Sequence, residues 1–266
     1  MPTGWGWTKA RFQGWGKHSK THRSPWLLFK ASLQDYRANW SLITGATLIV
    51  GLPVAILSSY NTNSSGDTTG SAYLAFMQLA MNVAVIYIAV KLVAGQRTTI
   101  RAAYYEGSAM LIRLVLVSVL LVLMMLPLVL GVIIIGIGVL APTAGLNLPE
   151  QLLLTVLAIL VATPSVILVT RGLWAVYRIF EGPEGPIQAV RYSRQLTKGS
   201  VLVSLGRLLA LAGFLVVILL IPVVILVAAG DLTHWGAWGI VLQILITLTV
   251  LPLGNLYLYR YYLELV

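Results

Sequence analysis

Few side chains in this sequence have the type and spacing for chemistry, and those few are scattered. His18 and His22 stand four residues apart, which on a helix puts two imidazoles on one face, as a metal site would need. They lie in a Lys/Arg-rich segment without a carboxylate, so the expectation is a solvated tail and no bound metal. His234 adjoins Trp235 at the edge of an apolar run, where an amphipathic ring is at home without further role. Asp67, Glu150 and Asp231 occur singly in three separate loops, whereas a hard cation wants several oxygens together. Glu181 and Glu184 fall in a Gly/Pro-rich turn, Glu181-Gly182-Pro183-Glu184-Gly185-Pro186. Serines and threonines abound, but no His–acid pair accompanies them to make a nucleophile. The chain has no cysteine, which removes thiolate ligands, disulfides and cysteine nucleophiles. Gly4, Gly6, Gly14 and Gly16 do not lead from a strand into a helix, so they form no phosphate loop. The residues predict no catalytic centre, no metal and no cofactor.

The elements that would carry such groups are set by composition. Hydrophobic residues make up 58% of the chain and charged residues 10%, against about a quarter charged in soluble domains. The apolar residues are gathered in long runs, so the solvent for most of the chain is lipid. Crossing roughly 30 Å of hydrocarbon takes about 20 apolar residues in a helix. Runs that qualify are 41–60, 72–94, 108–140, 149–170, 201–229 and 235–258. The third is long and contains Pro127. Two helices cut from it would be short, with no polar loop between them, so one tilted or kinked helix is predicted. Prolines Pro53 and Pro222 are expected to kink the first and fifth spans in the same way. Strands are not expected, because the ten-residue alternation of a membrane barrel is absent.

No ionisable residue falls at the centre of these runs. Gln78 and Asn82, at i and i+4 in the second, share a helix face and are the candidates for a polar cavity, with interhelical hydrogen bonding as the other reading. Lysines and arginines fall in the N-terminal segment, in alternate loops and at the end of the last run, all on one side of a six-span chain. The positive-inside rule then places both termini in the cytoplasm.

Short segments with helical spacing precede the odd-numbered spans. In the first, Trp26, Phe29, Leu33, Tyr36 and Trp40 form a stripe. In the third, Arg191, Arg194, Gln195 and Lys198 oppose Ile187, Val190 and Leu196, and Gly199 is a helix stop. The second, Arg97 to Glu106, sets Arg97 and Arg101 against Ile100, Ala103 and Tyr104. Each is expected to lie in the headgroup layer, with Arg97, Arg101, Arg191, Arg194 and Lys198 toward phosphate and Trp26, Trp40 and Trp235 as interfacial anchors. Shared fragments (Phe29-Lys30-Ala31, Ile100-Arg101-Ala102, Ile187-Gln188-Ala189) suggest three copies of one unit: interfacial helix, proline-containing span, return span. Residues 1–24 form a basic tail in which Trp5, Trp7 and Trp15 alternate with glycine and cations, ending in Lys17, Lys20 and Arg23. Such a tail suits the anionic inner leaflet, with nucleic acid as the rival partner.

Ser32-Leu33 through Tyr36-Arg37-Ala38-Asn39-Trp40, and Glu181-Gly182 followed by Ala189, Ser193, Leu196, Thr197, Lys198 and Gly199, carry a resemblance. From about Ser24 onward the chain resembles the multi-span membrane-domain family associated with glycerophosphoryl diester phosphodiesterases, and related uncharacterised bacterial families. The resemblance implies a bacterial inner-membrane module without the soluble catalytic domain that some relatives carry. The sequence thus leads to a non-enzymatic, all-α membrane protein of three helical hairpins that engages anionic lipid and a protein partner or second copy. A carrier or channel for a small neutral or amphiphilic solute is the alternative.

Overall fold

The computed structural model describes residues 24–61, 68–136, 147–228 and 243–266. The expectations for Lys17, Lys20, Arg23, Trp235, the three histidines, Asp67, Asp231 and the Gly/Trp-rich tail fall outside these residues. Everything regular among the described residues is helical: α1 (Pro25–Ala38), α2 (Trp40–Asn61), α3 (Thr68–Val93), α4 (Ile100–Ile135), α5 (Leu148–Gly172), α6 (Ala175–Glu181), α7 (Pro186–Leu196) and α8 (Val201–Ala228), then a π-helical turn (Ile246–Val250) leading into α9 (Leu251–Leu265). Five stretches are long and apolar enough to cross a membrane, one each in α2, α3, α4 and α8 and one running through α5 and α6. The sixth expected span, 235–258, is described only from Gln243 onward.

Local chemistry explains where the helices start and stop. Ser24 caps α1, its hydroxyl accepting from the Leu27 amide, and Pro25 fits the first turn, where an N–H would have no partner. Asn39 ends α1 by leaving the helical region and donating from its side chain to the Asp35 carbonyl. Gly199, at φ +87°, separates α7 from α8 in a conformation that a side chain would strain. No such stop follows Glu106. The expected second interfacial helix is therefore not a separate element, because Arg101–Glu106 forms the first turns of α4, capped by Thr99. Pro127 lies inside this single helix, so the third span is undivided. Pro53 and Pro222 also lie within helices, as does Pro164 of α5, which had not been singled out.

The core is built where the ends of α3, α6 and α9 converge. Val83 to Val90, Trp174, Tyr177, Phe180, Leu256, Tyr257 and Tyr259 pack there, with Leu28 and Phe29 of α1 laid over them. A second cluster joins Val117 of α4 to Ala175 and Ile179 of α6 and Ala189 and Val190 of α7. By contrast, α4 and α5 present Leu116, Val122, Leu130, Leu153, Val156 and Leu160 outward, an apolar face that suits lipid rather than water.

The two short helices bury different kinds of face, and that of α7 differs from the sequence-based expectation. In α1 the buried side is Leu28, Phe29 and Ser32, while Trp26 and Trp40 are 58% and 62% exposed. In α7 the buried side is Ala189, Val190 and Ser193, and Ile187 is 69% exposed, on the side of Arg191 and Arg194. Hydropathy assigns every apolar residue to an interior, but beside a bilayer an apolar side chain is equally at home outward. Small residues instead mark where helices touch protein.

The tightest such place is between α4 and α5. A Cβ added at Gly131 would stand 2.8 Å from the Ala158 carbonyl oxygen and 3.1 Å from the Ala162 methyl, so only glycine permits this approach. Ser165 of α5 reinforces it by donating to the Met124 carbonyl. Gly131→Ala is expected to destabilise the protein by roughly 1–3 kcal/mol, since the clash is with backbone. Gly213→Ala, which meets nothing within 4 Å, should be neutral or stabilising. Unfolding of both variants in detergent, followed by circular dichroism, measures the contrast.

Candidate functional site: the basic end of the bundle

Most of the described basic residues sit near the ends of α3, α5, α6 and α9 and the starts of α2, α4 and α8, and a web of polar contacts draws these ends together. Its hub is the last part of α9. Arg260 pairs with Asp35 of α1, its Nε at 2.7 Å and its Nη2 closer still. Arg207 of α8 donates to the Glu264 carboxylate at 2.6 Å, with only 5% and 19% of the two side chains exposed. The same guanidinium lies 4.4 Å from the centre of the Tyr261 ring. Ser204 and Tyr261 share a hydrogen bond of 2.9 Å, and Tyr257 donates to the Arg207 carbonyl at 3.4 Å.

Glu181 closes α6 onto α9. Tyr259 and Tyr262 donate to its two carboxylate oxygens at 3.1 and 2.6 Å, and Arg178 stands 3.6 Å away. Tyr177 donates to Asn255 at 3.1 Å beside them. Glu184, in the turn before α7, accepts from Arg178 Nε at 2.8 Å, and the Arg178 guanidinium covers the Tyr192 ring at 4.3 Å. These bonds to Arg178 hold the Glu184 carboxyl below the usual carboxylate range, outweighing the upward push of partial burial. Of the remaining described acids, Glu106 accepts from Tyr87, and Glu150 accepts from the Asn147 amide at 3.0 Å in a capping box.

Every described carboxylate is thus engaged within the protein. The cations expected at the interface are not: Arg97, Arg101, Arg191, Arg194 and Lys198 are exposed, and none pairs with a carboxylate among the described residues. Arg97 and Arg101 stand at the start of α4, and Arg191, Arg194 and Lys198 on and just after α7. Gln78 and Asn82 are half-buried on α3, one turn apart. The nearby seam between α2, α3 and α9 is lined instead by Ile43, Val85, Ile88, Ala89, Pro252 and Leu256. Among the described residues no three His, Asp or Glu side chains gather as a metal site would require.

The tyrosine cluster on α9 and the Arg207–Glu264 pair had not been predicted. The signal was present in Tyr259-Arg260-Tyr261-Tyr262 and Tyr177-Arg178, where amphipathic aromatics alternate with arginine at the end of an apolar helix. The small polar residues of the short helices are equally informative. Ser32, Ser193 and Thr197 are fully buried. Ser193 donates to the Arg171 carbonyl, tying α7 to the end of α5. Ser32 and Thr197 donate to carbonyls of their own helices at 2.8 and 3.1 Å. Tyr36 of α1 donates at 2.9 Å to Leu248, a carbonyl in the π-helical turn, where the regular ladder is interrupted.

Glu264→Gln should leave Arg207 nearly buried without its counter-charge, costing on the order of 3–5 kcal/mol. Arg207→Met combined with Glu264→Leu should cost less than the sum of the single changes, a coupling that a double-mutant cycle in denaturant resolves. Because the Glu184 carboxyl is depressed when folded, its contribution to stability is complete above the unfolded value and is lost as pH falls through the lower folded one. Below about pH 4 the turn before α7 should therefore loosen, and Glu184→Gln should abolish that part of the acid dependence in hydrogen-exchange measurements across 182–190.

No family model matches this chain, and neither the curated proteins nor the solved structures contain a match to it.

Proposed function

We propose that this protein is a non-enzymatic, six-span module of the bacterial inner membrane, with both termini cytoplasmic, that organises anionic lipid at its basic end and presents that end to a protein partner. The observation that carries this reading is the charge imbalance just described. The protein's own acids are consumed in holding helices together, while Arg97, Arg101, Arg191, Arg194 and Lys198 face outward unmatched. Cations beside a broad apolar face suit a headgroup layer, where phosphate neutralises the charge and acyl chains cover the apolar residues. The exposed Trp26 and Trp40 fit the same layer as anchors.

The three-unit repeat belongs to this proposal. It is supported by a recurring arrangement in which each interfacial segment lies on a return helix: α1 on α9, the start of α4 on α3, and α7 on α6. The resemblance to the phosphodiesterase-associated membrane family agrees with it, since its residues are structural pivots here. Asn39 ends α1, Glu181 ties α6 to α9, Ser193 fastens α7, and Gly199 turns the chain.

The orientation has a direct test. The chain lacks cysteine, so Ser65→Cys should react with an impermeant maleimide from outside intact cells, and Lys198→Cys only after lysis. The reverse pattern would sink the topology. Lipid dependence is tested in nanodiscs, where phosphatidylglycerol should raise the thermal midpoint more than phosphatidylcholine does. An equal effect of the two lipids would remove the scaffold reading, and stabilisation by one particular solute would put a carrier in its place.

A further inference from the structure

The basic residues of α7 stand in a row that the fold holds still. Ile187, Arg191 and Arg194 follow one another at intervals of four and three residues within the helix, so they share one face. Lys198 comes four residues after Arg194, in the turn that ends the helix. All four are exposed. The opposite face is fastened to protein. Ala189 and Val190 pack with Val117 of α4 and with Ala175 and Ile179 of α6. Ser193 donates to the Arg171 carbonyl, and the Arg178 guanidinium covers the Tyr192 ring at 4.3 Å. Held on these sides, α7 cannot roll, and its cations keep their direction and spacing.

No carboxylate interrupts the row, since Arg191 to Lys198 contains none. Glu184, the nearest acid before it, is bonded to Arg178. The other exposed cations are arranged differently. Arg97 precedes the first turn of α4 instead of standing in it. On α1, Asp35 lies between Lys30 and Arg37 and is paired with Arg260. Like charges one turn apart on a helix repel, so the row on α7 calls for anions from outside the protein. A phosphodiester brings one negative charge and accepts readily from a guanidinium. Two adjacent arginines and a lysine therefore suit two phosphodiesters. When both belong to one molecule, the second contact is intramolecular and gains from the effective concentration of the first. The apolar part of such a molecule also has a place. Arg194 leans on α4, its Nη2 3.8 Å from the Met124 sulfur, and Leu116, Val119 and Leu123, within about two turns of Met124, are exposed.

We propose that the row Arg191, Arg194 and Lys198 binds a phospholipid carrying two phosphodiesters, of the diphosphatidylglycerol type, with its chains against α4. The proposal rests on the lipid-organising reading above and narrows it from a charged end of the bundle to one helix and one class of lipid.

The test is native mass spectrometry of the full chain released from detergent with diphosphatidylglycerol or with phosphatidylglycerol at equal total phosphate, with phosphatidylcholine as the baseline. Wild type should retain diphosphatidylglycerol in preference to phosphatidylglycerol. Arg191→Gln should weaken that retention about tenfold, the loss expected for one charge-assisted hydrogen bond. Combining Arg191→Gln with Gln188→Arg restores the net charge but moves the cation to another exposed part of α7, and should weaken retention as much as Arg191→Gln alone. Arg97→Gln with Arg101→Gln should change it little. The proposal is overturned if wild type retains the two anionic lipids equally, if Arg191→Gln binds unchanged, or if the Arg97/Arg101 pair matters as much. A relocated cation that binds like wild type would show that total charge alone counts, so that the row fails while the broader lipid reading stands. Retention of neither anionic lipid above phosphatidylcholine would remove both. Displacement of the lipid by inorganic pyrophosphate at comparable concentration would assign the row to a soluble diphosphate and overturn the lipid as its occupant.

Discussion

A helix surrounded by protein has nowhere to send its polar side chains, and α9 carries them on all sides between Asn255 and Glu264. Each must be met locally, because in a low-dielectric interior an unmet charge or donor costs more than most packing gains. Asn255, the tyrosines, Arg260 and Glu264 are met by five residues: Asp35 in α1, Tyr177 and Glu181 in α6, Ser204 and Arg207 in α8. Satisfying one helix therefore fixes the positions of three others. Lipid-facing hydrophobic surface could not do this, since it discriminates little between one helix arrangement and another. At this end of the bundle, specificity comes from polar groups and bulk from apolar ones.

The same division explains what could be read in advance. Spans are legible because length and hydropathy are properties of a segment by itself, and so is the unity of α4, whose Pro127 has no polar residues around it to make a loop. Faces are less legible. The placing of Ile187 against Arg191 follows the logic of a helix whose apolar residues all share one side. Here Ala189, Ser193 and Thr197 line the buried side, because close approach to α5 and α6 selects for size rather than hydropathy.

The charge pattern was legible in total but not in its division. From sequence, Arg178, Arg207 and Arg260 look like any other cation near a helix end. Only contacts 6, 57 and 225 residues away in the chain turn them into internal braces. The exposed cations Lys30, Arg37, Arg97, Arg101, Arg191, Arg194 and Lys198 are those that pair with no acid among the described residues.

Of the three segments expected at the interface, two are jointed to their spans and one is not. Asn39 lets α1 turn relative to α2, and Gly199 does the same between α7 and α8. In α4 the chain runs unbroken for 36 residues, about 54 Å at 1.5 Å per residue, against a hydrocarbon layer of roughly 30 Å. Its charge-free part, from Leu114 to Ile135, nearly matches that layer, and the part bearing Arg101 and Arg113 is a rigid extension of it. When a bilayer thins or thickens, spans adjust by tilting. A tilt of α2 or α8 can be taken up at Asn39 or Gly199 and leave α1 or α7 in place, whereas a tilt of α4 carries the turn that bears Arg101 with it.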